Sequence, residues 1–173
     1  MSWWNQALFD TCSVITLDKL RQEDPQIARY FSTSIKVIAA TFSGDQLNED
    51  TSARMQHFLT RQEIPSDKDL ATFLKKSKPS IALSNVDKLV LATAVIHNLA
   101  VVTADRQLGK AIAAAGLKVT NMASILKELV NTKQINQTHC EKLLIALANR
   151  NDLILGTTAP TWLDLKKHKF PHR

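Results

Sequence analysis

The sequence predicts an α/β chain built around a parallel sheet, and three observations carry that expectation. Short apolar, β-branched runs such as Leu99 to Thr103 alternate with longer segments whose apolar residues recur at helical spacing. Capping residues stand at the junctions, and Pro79 and Gly116 close helical segments. Three aspartates fall where such a chain gathers groups at one edge of its sheet: Asp10 after Ala7-Leu8-Phe9, Asp87 opening Asp87-Lys88-Leu89-Val90, and Asp105 after Val101-Val102-Thr103-Ala104. In an open parallel sheet, ligands bind beyond the carboxyl ends of the strands.

Taken in order, Gln6 to Phe9 reads as a strand, and Thr11-Cys12-Ser13 caps a helix marked by Val14, Ile15, Leu17 and Leu20. Pro25 interrupts the polar stretch that follows, Ile27 to Phe31 forms a helical turn or two, and β-branched residues make Ile35 to Thr41 a second strand. Ser43-Gly44-Asp45 is a loop. From Gln46 to about Arg61, Leu47, Met55, Phe58 and Leu59 suggest one helix, and Asp67 to Lys76 a second. Ser84-Asn85-Val86-Asp87 resembles a capping box that starts a helix running to about Asn98. Apolar residues nearly encircle that helix, so it should be buried against the sheet. Leu99 to Thr103 is the clearest strand, Leu108 to Ala115 a small-residue helix, and Leu117 to Thr120 a further strand. Ile125-Leu126-Leu129-Val130 and Cys140-Leu143-Leu144-Ile145-Leu147-Ala148 then form a helical hairpin turning at Thr132 to Gln137.

At 173 residues, 45% hydrophobic and 22% charged, the chain has the composition of an ordinary globular domain large enough to build a core without staples. No apolar run approaches the roughly 20 residues needed to cross a bilayer. The N-terminus lacks the basic start and apolar stretch of a secretory signal, so the expected compartment is the cytoplasm and no membrane partner is expected. Two cysteines make no disulfide framework; Cys12 and Cys140 read as reduced, buried small side chains. A net charge of +6 favours a polyanionic partner. Its concentrations are Lys75-Lys76-Ser77-Lys78 and the tail Lys166-Lys167-His168-Lys169 with His172 and Arg173, each read as a phosphate contact or as a solvated surface.

Singly, Asp10 and Asp105 read as helix N-caps, and Asp87 as a first-turn acid that favours the helix dipole. Jointly, carboxylates on one rim repel unless a cation sits among them. Hard oxygen ligands favour Mg²⁺ or Mn²⁺, ions that support phosphodiester cleavage. Other chemistries lack their signatures. His57, His97 and His139 have no partners at zinc-like spacing, the four glycines form no phosphate loop, and no Ser or Cys sits in a nucleophile elbow.

Phe9-Asp10-Thr11-Cys12-Ser13-Val14-Ile15, Asp87 to Ala94, and Val101-Val102-Thr103-Ala104-Asp105 resemble the successive motifs of PIN-domain ribonucleases, over roughly Ala7 to Met122. The resemblance implies a three-layer α/β/α sandwich with a central parallel sheet over 1–123; the C-terminal helical hairpin extension at 124–156, expected to pack on the same domain, and the basic tail at 157–173 lie outside it. It implies a metal-dependent endoribonuclease that cleaves single-stranded RNA, with Asp10, Asp87 and Asp105 holding Mg²⁺ or Mn²⁺. Thr11, Ser13 and Thr103 would orient the acids or a water, although helix capping and strand-end hydrogen bonding account for them as well. Arg106 would touch a substrate phosphate or screen the acids. Many relatives are VapC-like toxins, which brings a small antitoxin protein and a homodimer among the implied partners.

The family pattern also implies a fourth acid, usually Glu, after the second strand. Here Ala39 to Leu47 contains no Glu, so Asp45 is the nearest carboxylate, Glu49 the alternative one turn on, and Gln46 would imply a weakened site. Asp45 therefore joins Asp10, Asp87 and Asp105 as the expected catalytic set. The alternative is a catalytically weak PIN-like scaffold that binds RNA or protein. A phosphoacceptor receiver-like domain also gathers acids at strand ends, but Lys118 is misplaced for the lysine such a domain needs.

Overall fold

The computed structural model describes residues 2–42, 46–79 and 81–171. The chain opens with a 3-10 turn at Trp3–Gln6 that buries Trp4, whose indole N–H donates to the Tyr30 carbonyl at 3.2 Å. Strand β1 (Leu8–Phe9) leads into α1 (Thr11–Glu23), whose first turn is capped by Asp10. A 3-10 helix at Pro25–Tyr30 precedes β2 (Ile35–Val37).

The expected second strand is shorter than the sequence suggested. Backbone N–H groups of Thr41 and Phe42 bond back to the Ile38 carbonyl, so Ala39–Phe42 forms the single turn α2. Two consecutive alanines favour that turn over continued extension. The single helix expected over Gln46 to Arg61 is likewise divided. Asn48 caps α3 (Glu49–Met55), a 3-10 turn follows at Gln56–Phe58, and Leu59–Arg61 becomes β3, a parallel edge strand on β2. Only Leu59 of that strand is buried, so its sequence carries almost no periodic signal and its pairing is a tertiary effect.

The remaining elements match the expected alternation. They are α4 (Asp67–Ser77), α5 (Asn85–His97), β4 (Val101–Val102), α6 (Arg106–Ala114), β5 (Val119–Thr120), α7 (Met122–Asn131), α8 (Gln137–Asn149) and α9 (Trp162–Lys167). The five strands are all parallel in the order β3-β2-β1-β4-β5. The chain runs outward from β1 in one direction to β3 and in the other from β4 to β5, so the order reverses between β1 and β4. That is where an open parallel sheet offers its crevice.

Alternate residues of the strands face opposite sides of the sheet. Phe9, Val37 and Val102 join one hydrophobic cluster with α1, α7 and α8, whereas Leu8, Ile38 and Val101 join another with α5 and α6. Helices therefore cover both faces, an arrangement compatible with a three-layer sandwich. The C-terminal hairpin is part of the first cluster: Leu126, Leu129, Leu143, Leu144 and Leu147 pack with Val14, Leu17 and Leu20 of α1. The basic tail is also built into the fold. Thr161 and Asp164 form a capping box at α9, Leu165 is fully buried, and the Trp162 N–H donates to Glu141 Oε1 at 2.6 Å. Among the described residues no helix is long and apolar enough to cross a membrane.

Candidate functional site

A cleft of about 480 Å³ opens where β1 and β4 end, lined by Asp10, Asp87 and Asp105 together with Thr11, Gln46 and Ser84. The three acids separated by 95 residues of sequence thus share one concavity, as their positions at two strand ends and a helix start predicted. Cys12, Val86 and Val90 also line it, and no lysine or arginine among the described residues does.

Each acid is also held by local structure. Asp10 is 7% exposed and caps α1: Oδ1 accepts the Ser13 backbone N–H at 2.8 Å, and Oδ2 accepts the Thr103 hydroxyl. Asp105 caps α6, its Oδ1 accepting the Leu108 N–H at 2.8 Å. Asp87 closes the capping box of α5, its Oδ2 accepting the Ser84 N–H at 3.1 Å and the Ser84 hydroxyl at 2.6 Å. The second oxygens of Asp87 and Asp105 have no hydrogen-bond partner among the described residues. Capping and a shared rim therefore coexist, because helix N-termini meet at this edge of the sheet.

The supporting hydroxyls divide into three roles. Thr103 ties two acids together, donating to Asp10 while its oxygen accepts the Asp105 N–H at 3.0 Å. Thr11 faces the cleft, with its hydroxyl 2.8 Å from Thr41 Oγ1 and 2.5 Å from Gln46 Oε1. Ser13 turns inward and donates to the Val102 carbonyl at 3.1 Å, so its side chain fastens α1 to β4 while its backbone N–H serves Asp10.

At the end of β2, the groups that reach the cleft among the described residues are neutral. Gln46 lines it and buried Thr41 supports Thr11, whereas Glu49 stands exposed in the first turn of α3 and does not line it. Asp45 lies outside the described residues. No sequence signal marks Thr41, because the β-branched run from Ile35 predicts continuing strand where α2 forms. Cys12, expected to be buried, is exposed at the cleft. Its place in the first turn of a helix that begins at the rim accounts for this.

Electrostatics at the cleft disfavour further negative charge. Burial pushes the Asp10 carboxyl above the usual carboxylate range, hydrogen bonds from Ser13 and Thr103 oppose that rise, and the charge of Asp87 adds to it. Local desolvation, followed by the charges of Asp10, Asp152, Asp87 and Asp105, pushes the Cys12 thiol up, so it stays neutral and a poor nucleophile. Among the described residues no three His, Cys, Asp or Glu side chains form a ready-made metal cage. The donor set nevertheless suits a hard divalent ion that keeps several waters and takes only one or two carboxylates directly, as Mg²⁺ does.

Elsewhere, Lys118 precedes β5 and lies over the Trp3 ring, 5.8 Å from its centroid, away from the acids. No protein-family model matches the chain, and neither the curated proteins nor the solved structures yield a match.

Proposed function

We propose that the chain is a Mg²⁺- or Mn²⁺-dependent endoribonuclease of PIN type acting on single-stranded RNA. The observation that carries this reading is the convergence of Asp10, Asp87 and Asp105 on one cleft at the point where the strand order reverses. A divalent cation held by these acids would supply stabilisation of the negative charge that builds on a phosphodiester during attack by water. The chain's own groups set the stage for it. Thr103 fixes Asp10 and Asp105 relative to one another, the Ser84 box fixes Asp87, and Thr11 with Gln46 shapes the opposite wall. In the hydrolysis, the water oxygen bonds to phosphorus as a P–O bond to ribose breaks and the leaving oxygen takes up a proton.

The same residues cap helices, and aspartate-to-asparagine substitution separates the two roles. Asparagine caps a helix about as well as aspartate but carries no charge. Asp10→Asn, Asp87→Asn and Asp105→Asn should therefore fold, lose metal-dependent RNA cleavage by at least about a hundredfold, and lose the rise in melting temperature that millimolar Mn²⁺ gives the parent chain. Cleavage that survives in Asp10→Asn and Asp87→Asn would show that these acids do not form the site.

A second reading is favoured by Gln46. With a neutral amide where β2 meets the cleft, a PIN-like scaffold that binds RNA or protein without cutting it accounts for the same fold. Such a scaffold shows no stabilisation by Mn²⁺, and the melting measurement distinguishes the readings.

A further inference from the structure

A second cleft, of about 270 Å³, lies on the other side of the Asp105 turn. Consecutive residues divide between the two concavities: Ala104 and Arg106 line the second, Asp105 the first. The turn is thus a ridge one residue wide. Beyond it the second cleft is lined by Ser13, Asn121, His168 and Phe170 as well as Arg106. The C-terminal segment forms its far wall, held there by side-chain contacts. Asn121 Oδ1 already accepts the Ser124 N–H at 2.9 Å, so its amide nitrogen is the donor to His168 Nε2, also at 2.9 Å. Lys127 Nζ donates to the Lys166 carbonyl at 2.8 Å. The Phe170 ring rests on Gly109, where a Cβ would come within 2.7 Å of its Cζ.

The charges at this cleft are arranged for an anion. Asp152 also lines it, but accepts from Thr16 at 2.8 Å and pairs with Lys19 at 3.3 Å. Arg106 is exposed and has neither ion pair nor hydrogen bond among the described residues. An unengaged guanidinium suits a phosphate, and a half-buried aromatic ring on the same wall suits a base. One molecule carries both groups in sequence with a phosphodiester.

We infer that the second cleft is a nucleotide subsite: a single-stranded RNA lying in the three-acid cleft crosses the Asp105 ridge, places its next phosphate on Arg106 and stacks the attached base on Phe170. The inference rests on the ribonuclease reading for the direction of the strand, but its binding signature needs no cleavage. The test measures binding of a fluorescently labelled single-stranded hexaribonucleotide in EDTA, over a range of salt, to the parent chain, Arg106→Gln, Phe170→Ala and Gly109→Ala. Arg106→Gln should weaken binding and reduce the salt slope by about 0.7, the loss of one phosphate contact on a single strand. Phe170→Ala should weaken it about fivefold or more. Gly109→Ala moves the same ring from a helix that alanine favours, so it should weaken RNA binding while keeping the melting temperature at or above that of the parent.

Parent-like affinity and salt slope in Arg106→Gln and Gly109→Ala, or no RNA binding by the parent chain, would overturn the subsite. If the parent still cuts RNA with metal while the variants bind as it does, only the subsite fails. If binding is variant-sensitive but no metal-dependent cleavage occurs, only the nuclease reading fails.

Discussion

The face of the sheet covered by α1, α7 and α8 buries a continuous cluster that takes in Phe9, Leu17, Leu20, Leu126, Leu144 and α9 through Leu165. The opposite face, under α5 and α6, buries a smaller set around Leu8, Val90, Leu108 and Ile112, and leaves a groove of about 760 Å³ among α4, α5 and α6. The acids of the candidate site come from both sides: Asp10 caps α1, while Asp87 and Asp105 belong to α5 and α6. The difference teaches that the cleft is a seam between a thickly packed layer and a thinner one. The larger buried cluster lies on one side of that seam, while two of its three carboxylates are supplied from the other.

Core truncation should separate the two layers by the largest margin. Leu17 and Ile112 are both fully buried, but Leu17 is enclosed by helices of the hairpin, whereas Ile112 lies on the side where the groove gives neighbours room to move. The cost of a truncation depends on how far its surroundings can collapse. Leu17→Ala should cost about 4 kcal/mol and Ile112→Ala about 2 kcal/mol, read from urea denaturation. An Ile112→Ala variant as unstable as Leu17→Ala would mean that the two layers are equally packed.

How legible each layer was in the sequence follows the same division. The α5–β4–α6–β5 stretch could be read almost element by element because local signals agree with the fold: the Ser84 box, the Val101-Val102 strand, and Gly116 at φ +81° after α6. The stretch from Ala39 to Arg61 could not. Its elements are one to two turns long, and β3 exists because β2 offers an edge, a partner that no local pattern of Leu59-Thr60-Arg61 announces. The tail is seated by equally sparse signals: its lysines stay exposed, while one buried leucine and a capping box hold α9. Of the site, the three aspartates were legible from position alone, while the neutral wall of Thr41 and Gln46 depended on the segment whose structure was not.

A smaller effect is expected at the thin layer's rim. Asp105→Ala removes both the cap of α6 and the charge, and should cost about 1 kcal/mol; Asp105→Asn keeps the cap and should cost a few tenths at most. Both should lose the Mn²⁺ response equally. Thermal melts with and without Mn²⁺ supply both numbers. If Asp105→Asn were as destabilised as Asp105→Ala, the carboxylate charge rather than the cap would be supporting α6.

The smallest effect lies on the thick side of the seam, at Asp10. Its native pKa is raised chiefly by burial, so the folded state holds the proton more tightly than the unfolded chain. Stability from this group is fully present below the ordinary carboxylate value and is lost as pH rises through the raised native value. Asparagine at this position keeps the cap without an ionisable group. In metal-free buffer, Asp10→Asn should therefore melt above the parent chain at neutral pH, and the gap should close as pH falls toward the ordinary carboxylate range. Saturating Mn²⁺ should reverse the order at neutral pH, because only the parent carries the charge that a cation stabilises. A gap that stays constant with pH would mean that the buried carboxylate is not penalised by its surroundings. The thick layer would then hold Asp10 as a cap alone.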